Sequence, residues 1–190
     1  MRYFTIIFSI IFFAACLSGL KKQTHASDEK AARFVLKQQG DVIQVFAKNE
    51  NAALVTQVVK PDFRPYIHPI LAPGSNVALT EYSPGHHKHQ TGLYWGFTRV
   101  NGAGADKKTL GAWFYKPDKP ADIKKQIGRD FFHHPEGSHW KKVGAEIITG
   151  AGEKVTWKTV YHMLDESQHP ILEETQTWTF SQHADKYLLD

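Results

Sequence analysis

Alternating apolar and polar residues between positions 154 and 180 predict an antiparallel β-hairpin. Two runs, 154–164 and 171–180, carry large apolar residues at even spacings, and the polar segment 165–170 lies between them. Such alternation places one side of each strand against a core and the other in water. The residues expected to face the core are Val155, Trp157, Tyr161, Met163, Leu172, Trp178 and Phe180.

Three runs of β-branched and apolar residues near the start of the chain predict further strands. They span residues 33–36, 41–48 and 52–60, and the polar residues 49–51 form a turn between the second run and the third. Two such runs joined by a short polar turn have the pattern of a hairpin.

The run 92–100 also alternates and is predicted to be a strand. Leu93, Trp95 and Phe97 are expected on one buried face. With the runs described above, this makes a mostly β domain the expected fold.

Proline and charge interrupt these strands in two places. Residues 62–74 predict an extended loop with short edge pairings, because each proline fixes φ and removes a hydrogen-bond donor. Residues 116–130 predict a surface loop with a short helix over 121–127. The last residues, 187–190, have the pattern of a strand that is just beginning, so we expect this sequence to be part of a longer protein.

The amino-terminal residues have the order of regions that defines a secretory signal peptide. A basic start precedes an apolar run over 4–20 and a polar segment that ends at Ala26. Cleavage after Ala26, which completes a signal peptide of residues 1–26, leaves residues 27–190 as one domain. In the alternative, a lipobox ends at Cys16 and the mature protein carries a lipid anchor there. Both alternatives predict export to the periplasm or the cell exterior, and no later run reaches the roughly 18 to 20 apolar residues of a membrane-spanning helix.

Charge argues against a nucleic-acid-binding protein, and cysteine content argues against a fold stabilised by intrachain disulfides. The sequence contains 23 lysines and arginines against 19 aspartates and glutamates. Arg2, Lys21 and Lys22 belong to the leader, so the mature chain has 20 against 19 and a net charge of +1. No nucleic-acid partner is expected, since nucleic-acid surfaces carry a clustered basic excess. Cys16 is the only cysteine, which leaves no pair for an intrachain disulfide.

The densest group of chemically active residues is the histidine-rich segment 83–95. In an extended chain His87 and His89 would project from one face and His86 from the other. Two imidazoles on one face can transfer protons near neutral pH or bind a metal ion. His87 and His89 are therefore the candidate catalytic residues and the candidate metal ligands, and the identity of any cofactor stays open. A cupin-like metal site is not expected, because no glutamate follows His89 within the segment.

Two further groups are candidates for substrate binding. Arg64 and His68 alternate in an extended stretch, where Arg64 could hold a substrate or could anchor the proline-rich loop to backbone carbonyls. His133, His134 and Glu136 lie among aromatic residues, a combination that suits a sugar ring.

Three segments taken together resemble one family. Residues 64–73 read Arg-Pro-Tyr-Ile-His-Pro-Ile-Leu-Ala-Pro, residues 84–95 carry the histidines and end in Gly-Leu-Tyr-Trp, and residues 100–102 read Val-Asn-Gly. This order is similar to that of the exported bacterial PmoA-like family, often labelled methane oxygenase PmoA. The resemblance covers residues 64–190.

The resemblance implies an antiparallel β-sandwich akin to the galactose-mutarotase supersandwich, incomplete at its carboxyl end. It also implies action on a sugar or glycoside, with a small molecule or carbohydrate as partner and Trp95 among the residues that bind it. Mutarotase-like chemistry would require a carboxylate base, for which the candidates are Glu136 and a residue beyond Asp190. A non-catalytic carbohydrate-binding or envelope protein is the alternative, and copper-dependent oxidation, suggested only by the label, ranks last.

We predict that the mature protein begins at Ser27, or at lipidated Cys16, and is found outside the cytoplasm, because the leader has all three regions of a signal peptide. Intact-mass measurement on protein from fractionated cells checks this. A cytoplasmic species that retains residues 1–20 would contradict export.

Overall fold

The computed structural model describes residues 32–190, which form nine strands and two short helices. The elements are β1 (Phe34–Gln39), β2 (Val42–Ala47), β3 (Ala53–Val58), β4 (Tyr66–Ile70), α1 (Lys107–Trp113), α2 (Ala121–Ile127), β5 (Trp140–Thr149), β6 (Ala151–Gly152), β7 (Lys154–Leu164), β8 (Pro170–His183) and β9 (Lys186–Leu189). The predicted signal segment and Cys16 lie outside the described residues. Within residues 32–190, no helix has the length and apolar character needed to cross a membrane.

Two antiparallel sheets form the domain. The first has the strand order β4-β3-β2-β1-β6 and the second the order β5-β7-β8-β9. Every strand pair is antiparallel. The predicted fold class, an all-β antiparallel sandwich, is therefore confirmed, and the likeness to the galactose-mutarotase supersandwich remains a prediction.

Side chains from both sheets meet in a main apolar cluster, and a smaller cluster lies further along β7. Burial of this apolar surface is the chief force that holds the two sheets face to face. The main cluster comprises Phe34, Leu36, Ile43, Val45, Leu54, Val55, Val59, Ile67, Val155, Trp157, Trp178 and Phe180, and the smaller one comprises Phe131, Trp140, Tyr161 and Met163.

The predicted hairpin is present as β7 and β8, with Trp157 opposite Trp178. All four apolar residues expected to face the core from β7 are buried, and so are Trp178 and Phe180 on β8. Leu172 is the exception, with 37% of its surface exposed, because it lies outside both apolar clusters.

The early strands also follow the predicted pattern. The runs 33–36, 41–48 and 52–60 correspond to β1, β2 and β3, which pair as consecutive hairpins. The turn between β1 and β2 uses Gly40 at a φ of 56°, a left-handed value that glycine adopts without a steric penalty. Residues 62–74 contain β4, a short strand at the edge of the first sheet, in agreement with the predicted edge pairing.

Residues 92–100 do not form a strand, contrary to the prediction. Isolated bridges join Leu93 to Ile67 and Val100 to Arg129. The two ends of the segment thus pair with different parts of the chain, and no continuous ladder can form between them.

Close packing at Gly96 keeps this segment irregular. A Cβ atom added at Gly96 would lie 2.7 Å from the Cα of Phe132, so the two backbones are in direct contact. Trp95 and Phe97 are consequently not buried on one face, as the alternation had suggested, but are 46% and 49% exposed.

The segment before β5 lies on the surface and contains both helices. The predicted helical turn is present as α2, which buries only Ile127. The other helix, α1, was not predicted. Asp106 caps its first turn, accepting a hydrogen bond from the backbone N–H of Thr109 at 2.6 Å.

Candidate functional site

A belt of polar side chains lies between the two apolar clusters. On β7, the fully buried Thr159 points inward between Trp157 of the main cluster and Tyr161 of the smaller one. On β8, Gln176 lies opposite Thr159 and Glu174 lies opposite Tyr161. Buried residues from the first sheet and its loops complete the set. The polar belt consists of Gln57, Arg64, Thr91, Thr159, Glu174 and Gln176.

A relay of hydrogen bonds crosses the polar belt and ends at Gln176, two residues from Glu174 on β8. The indole N–H of Trp157 donates to Oε1 of Gln57 at 2.5 Å, and Nε2 of Gln57 donates to Oε1 of Gln176 at 2.9 Å. The N–H of Trp178 donates to the same Gln176 oxygen at 3.0 Å. Because an indole N–H can only donate, both amides are held in one orientation, and the Gln176 amide lowers the pKa of the nearby Glu174 carboxyl. We call this series the amide relay.

Arg64 is the second organising residue of the belt and has no exposed surface. Its Nη2 donates to the His89 carbonyl and its Nη1 to the Phe132 carbonyl, each at 2.6 Å. The guanidinium carbon lies 3.6 Å from the centre of the Tyr94 ring. Burial lowers the pKa of Arg64 to about 10, so the group remains charged at neutral pH. Arg64 therefore anchors loops through backbone carbonyls, the second of its two predicted roles, and does not itself reach a substrate in solvent.

Glu174 is a half-buried carboxyl whose Oε2 is buried and has no hydrogen-bond partner within residues 32–190. Burial raises the pKa of Glu174 to about 7, against the opposing effects of the Gln176 hydrogen bond and the Arg64 charge. Such a carboxyl populates both protonation states at neutral pH, as a general acid or base must. A buried polar atom without a partner also marks a position that water or a ligand can satisfy.

Glu174 and Gln176 line a cleft of about 770 Å³ between β8 and the segment that carries Trp95. The Trp95 ring packs edge-on against Trp178, with 5.6 Å between ring centres and 60° between ring planes. The volume is typical of a small-molecule site. The lining residues are Trp95, Phe97, Thr98, Val100, Met163, Leu172, Glu173, Glu174, Thr175, Gln176, Thr177 and Trp178.

Sequence reasoning missed Glu174 and Gln176, although a signal for them was present. Leu172 and Trp178 were predicted to share an inward face. Both polar residues lie between them at even spacings, which places them on that same face of the strand. Two polar residues on the inward face of a core strand are costly to bury unless they are paired or functional.

The histidine segment is folded into two tight turns rather than extended. The backbone N–H of His87 donates to the Pro84 carbonyl at 2.8 Å, and that of Gln90 to the His87 carbonyl at 2.9 Å. The rings of His86 and His87 lie 4.0 Å apart and those of His87 and His89 lie 5.9 Å apart. The predicted pair is thus close together, but the turns, and not strand alternation, achieve this.

His89 contacts His133 of the second predicted group, with 4.5 Å between ring centres. The Nδ1 of His133 lies 2.8 Å from Oδ2 of Asp130, whose other oxygen accepts the backbone N–H groups of His133 and Phe132 at 3.0 Å. The carboxylate is therefore fixed, and it favours the His133 tautomer that keeps Nε2 as an acceptor. Burial lowers the pKa of His89, and the neighbouring His133 and Arg64 lower it further.

The other predicted residues with polar side chains lie apart from His89 and His133. Nδ1 of His134 lies 3.1 Å from Oε1 of the exposed Glu136, and its ring stacks on His139 at 4.9 Å. Nδ1 of His68 lies 3.0 Å from the hydroxyl of Thr80. None of these contacts involves the polar belt or the cleft.

The described part of the chain contains no group of three or more His, Cys, Asp or Glu side chains arranged to hold a metal ion. A metal bound by His87 and His89 would need further ligands, since protein zinc sites use three or four. The metal-binding role of this pair remains a prediction.

We predict that Glu174→Gln stabilises the protein more at pH 8 than at pH 5. The folded-state pKa of about 7 lies above the ordinary glutamate value of 4.5, so the wild type loses stability as pH rises from about 4.5 to 7, and glutamine removes this loss. The difference in the free energy of unfolding between the two pH values should be on the order of 2 to 3 kcal/mol. Urea unfolding at both pH values measures it. Glu153→Gln, at an exposed glutamate, is the matched control. An equal effect of Glu174→Gln at both pH values would contradict the raised pKa of the Glu174 carboxyl.

Comparison with known proteins identifies the family and corrects the sequence-based resemblance. The model of a family of unknown function, DUF6807, matches residues 48–190. No match was found among curated proteins or among solved structures. The resemblance to the PmoA-like family was therefore wrong, and the copper-dependent alternative that rested on its label loses its basis. Two of the segments that suggested it meet at the buried Arg64, whose Nη2 donates to the His89 carbonyl. The chain belongs to the DUF6807 family, whose function is unknown.

Proposed function

We propose that this protein is exported and acts on a sugar or glycoside bound in the cleft, with Glu174 as its acid–base group. The position of Glu174 carries the proposal. The carboxyl lies on the wall of the cleft, the amide relay ends two residues away at Gln176, and one of its oxygens has no partner in the described residues. A carboxyl held in this way is suited to a ligand hydroxyl.

The walls of the cleft favour a sugar. Trp95 is about half exposed and lies beside Trp178, so together they offer an aromatic surface on which the C–H face of a sugar ring can stack. Gln176 and Glu174 lie on the same strand, two and four residues from Trp178 and on its face, where they can bond the hydroxyl groups. Apolar stacking combined with a few fixed polar groups is the usual composition of a ligand site.

The chemistry we propose is proton transfer at the bound sugar. With a pKa of about 7, Glu174 can accept a proton in one step and return it in the next. Glu174 takes the place of Glu136, the carboxylate that the sequence suggested. The imidazole of His87 or His89 is the proposed second proton-transfer group; neither residue lines the cleft, so it would act on a part of the ligand that extends beyond the lining residues. Arg64 links the two, because it binds the His89 carbonyl and its charge acts on Glu174.

A non-catalytic carbohydrate-binding or envelope protein is the second candidate. It would use the same aromatic surface and the same hydrogen-bonding groups. The two functions differ in whether Glu174 is needed for turnover or only for binding.

We predict that Trp95→Ala weakens binding of a responsive glycoside about tenfold or more through lost stacking. Glu174→Gln should retain binding within a few fold and lower turnover by about 10² to 10⁴ through loss of proton transfer. Calorimetric titration and turnover assays across a panel of sugars and glycosides measure both. Tyr115→Ala, which removes an exposed ring outside the cleft, is the control. Binding without turnover in the wild type would favour the non-catalytic candidate, and no effect of either variant would refute the cleft as the site.

His87→Ala and His89→Ala are predicted to lower turnover per folded molecule, because each removes a candidate proton-transfer group. Unfolding curves recorded beside the assays separate this effect from a loss of stability. His86→Ala is the matched control, since His86 is exposed in the same turns. Full activity per folded molecule in both variants would make these histidines part of the scaffold and leave Glu174 without an imidazole partner.

A further inference from the structure

The two ends of the cleft differ in chemistry. At one end lie the Trp95 and Trp178 rings, with Gln176 and Glu174 next along β8. At the other end Leu172 lies opposite Met163 of β7, and no polar belt residue lies beyond Glu174. We propose, building on the proposed function, that the cleft takes an uncharged glycoside whose sugar occupies the Trp95 end and whose apolar aglycone occupies the Leu172 end.

The length of the cleft requires a ligand of two parts. Trp178 and Leu172 are six residues apart on one strand, a distance of about 20 Å. One pyranose ring stacked beside Trp95 covers only part of this length. The remaining surface needs a second group attached to the sugar, and an aglycone is that group in a glycoside.

The surface at the Leu172 end favours an apolar second group. Phe97 and Leu172 are 49% and 37% exposed, and Val100 and Met163 also line this part of the cleft. A second sugar here would replace few of its hydrogen bonds to water, since Glu173 is the only polar lining residue that adjoins Leu172 in the described chain. An aryl or alkyl group would instead bury apolar surface on both sides, at roughly 25 cal/mol per Å².

The charges around the cleft exclude anionic sugars. No lysine or arginine lines the cleft within the described residues, and both charged lining residues are glutamates. Glu173 lies 3.2 Å from Nε2 of His162, and the charge of Arg64 acts on Glu174. A uronate or sulfate would enter beside carboxyl groups with no cation among the lining residues to bind it.

The test uses the purified mature protein and three matched probes for each common hexose: the methyl glycoside, the phenyl glycoside and the phenyl glycoside of the corresponding uronic acid. Calorimetric titration should show the phenyl glycoside of the preferred sugar binding at least tenfold more tightly than the methyl one, with the uronide weaker than the phenyl glycoside. Leu172→Ser should remove most of the phenyl advantage and leave methyl glycoside affinity unchanged. Leu79→Ser, at an exposed leucine outside the cleft, should change neither.

Phe97→Ser is a second variant with the same expected result. If one of the two variants fails to fold, the other still tests the proposal. Equal affinities for methyl and phenyl glycosides, or a phenyl advantage that survives both variants, would overturn the aglycone assignment and leave the proposed function standing. A uronide that binds as tightly as its neutral counterpart would overturn the exclusion of charge. If no glycoside binds the wild type, the proposed function fails together with this inference.

Discussion

Burial of one guanidinium determines how the loops of this protein are arranged. Arg64 has no exposed surface, and a buried charge is costly unless it is hydrogen-bonded; both Nη atoms are, whereas Nε has no partner within residues 32–190. Its partners are the carbonyls of His89 and Phe132 and the face of Tyr94, which belong to separate segments of the chain. The histidine turns, the aromatic segment beside the cleft and the loop before β5 therefore meet around a single cation.

The polar belt is the feature of the core that packing alone does not explain. A sandwich of this size could join its two apolar clusters with further apolar residues, yet it places Gln57, Thr159 and Gln176 between them. Trp157 orients the Gln57 amide, which in turn orients the Gln176 amide, and Gln176 lowers the pKa of Glu174. Such local departures from an apolar interior are expected at functional sites, where stability is exchanged for a fixed polar geometry.

The candidate site was only partly predictable because the sequence shows residue types and not the surroundings that change their chemistry. The histidine turns attract notice through composition, and His87, His89 and His133 do lie together. Glu174 has the more strongly shifted pKa. In the sequence, however, a single glutamate within a strand looks like any solvent-facing residue unless its position is compared with the alternating inward-facing residues. Arg64 left two roles open, and only its burial decided for the anchoring one.

By itself the sequence determined the strands of both hairpins and, apart from Leu172, the inward face of the second, because alternation along a strand is a local property. Only the tertiary structure decided where the segment around Trp95 would lie, since a strand needs a partner along its whole length and the backbone of Phe132 occupies the space beside Gly96. It also decided the site, because the Gln57 to Gln176 hydrogen bond joins residues 119 positions apart. No local periodicity contains such a contact, and burial, which sets the pKa of Glu174, exists only once both sheets have closed on each other.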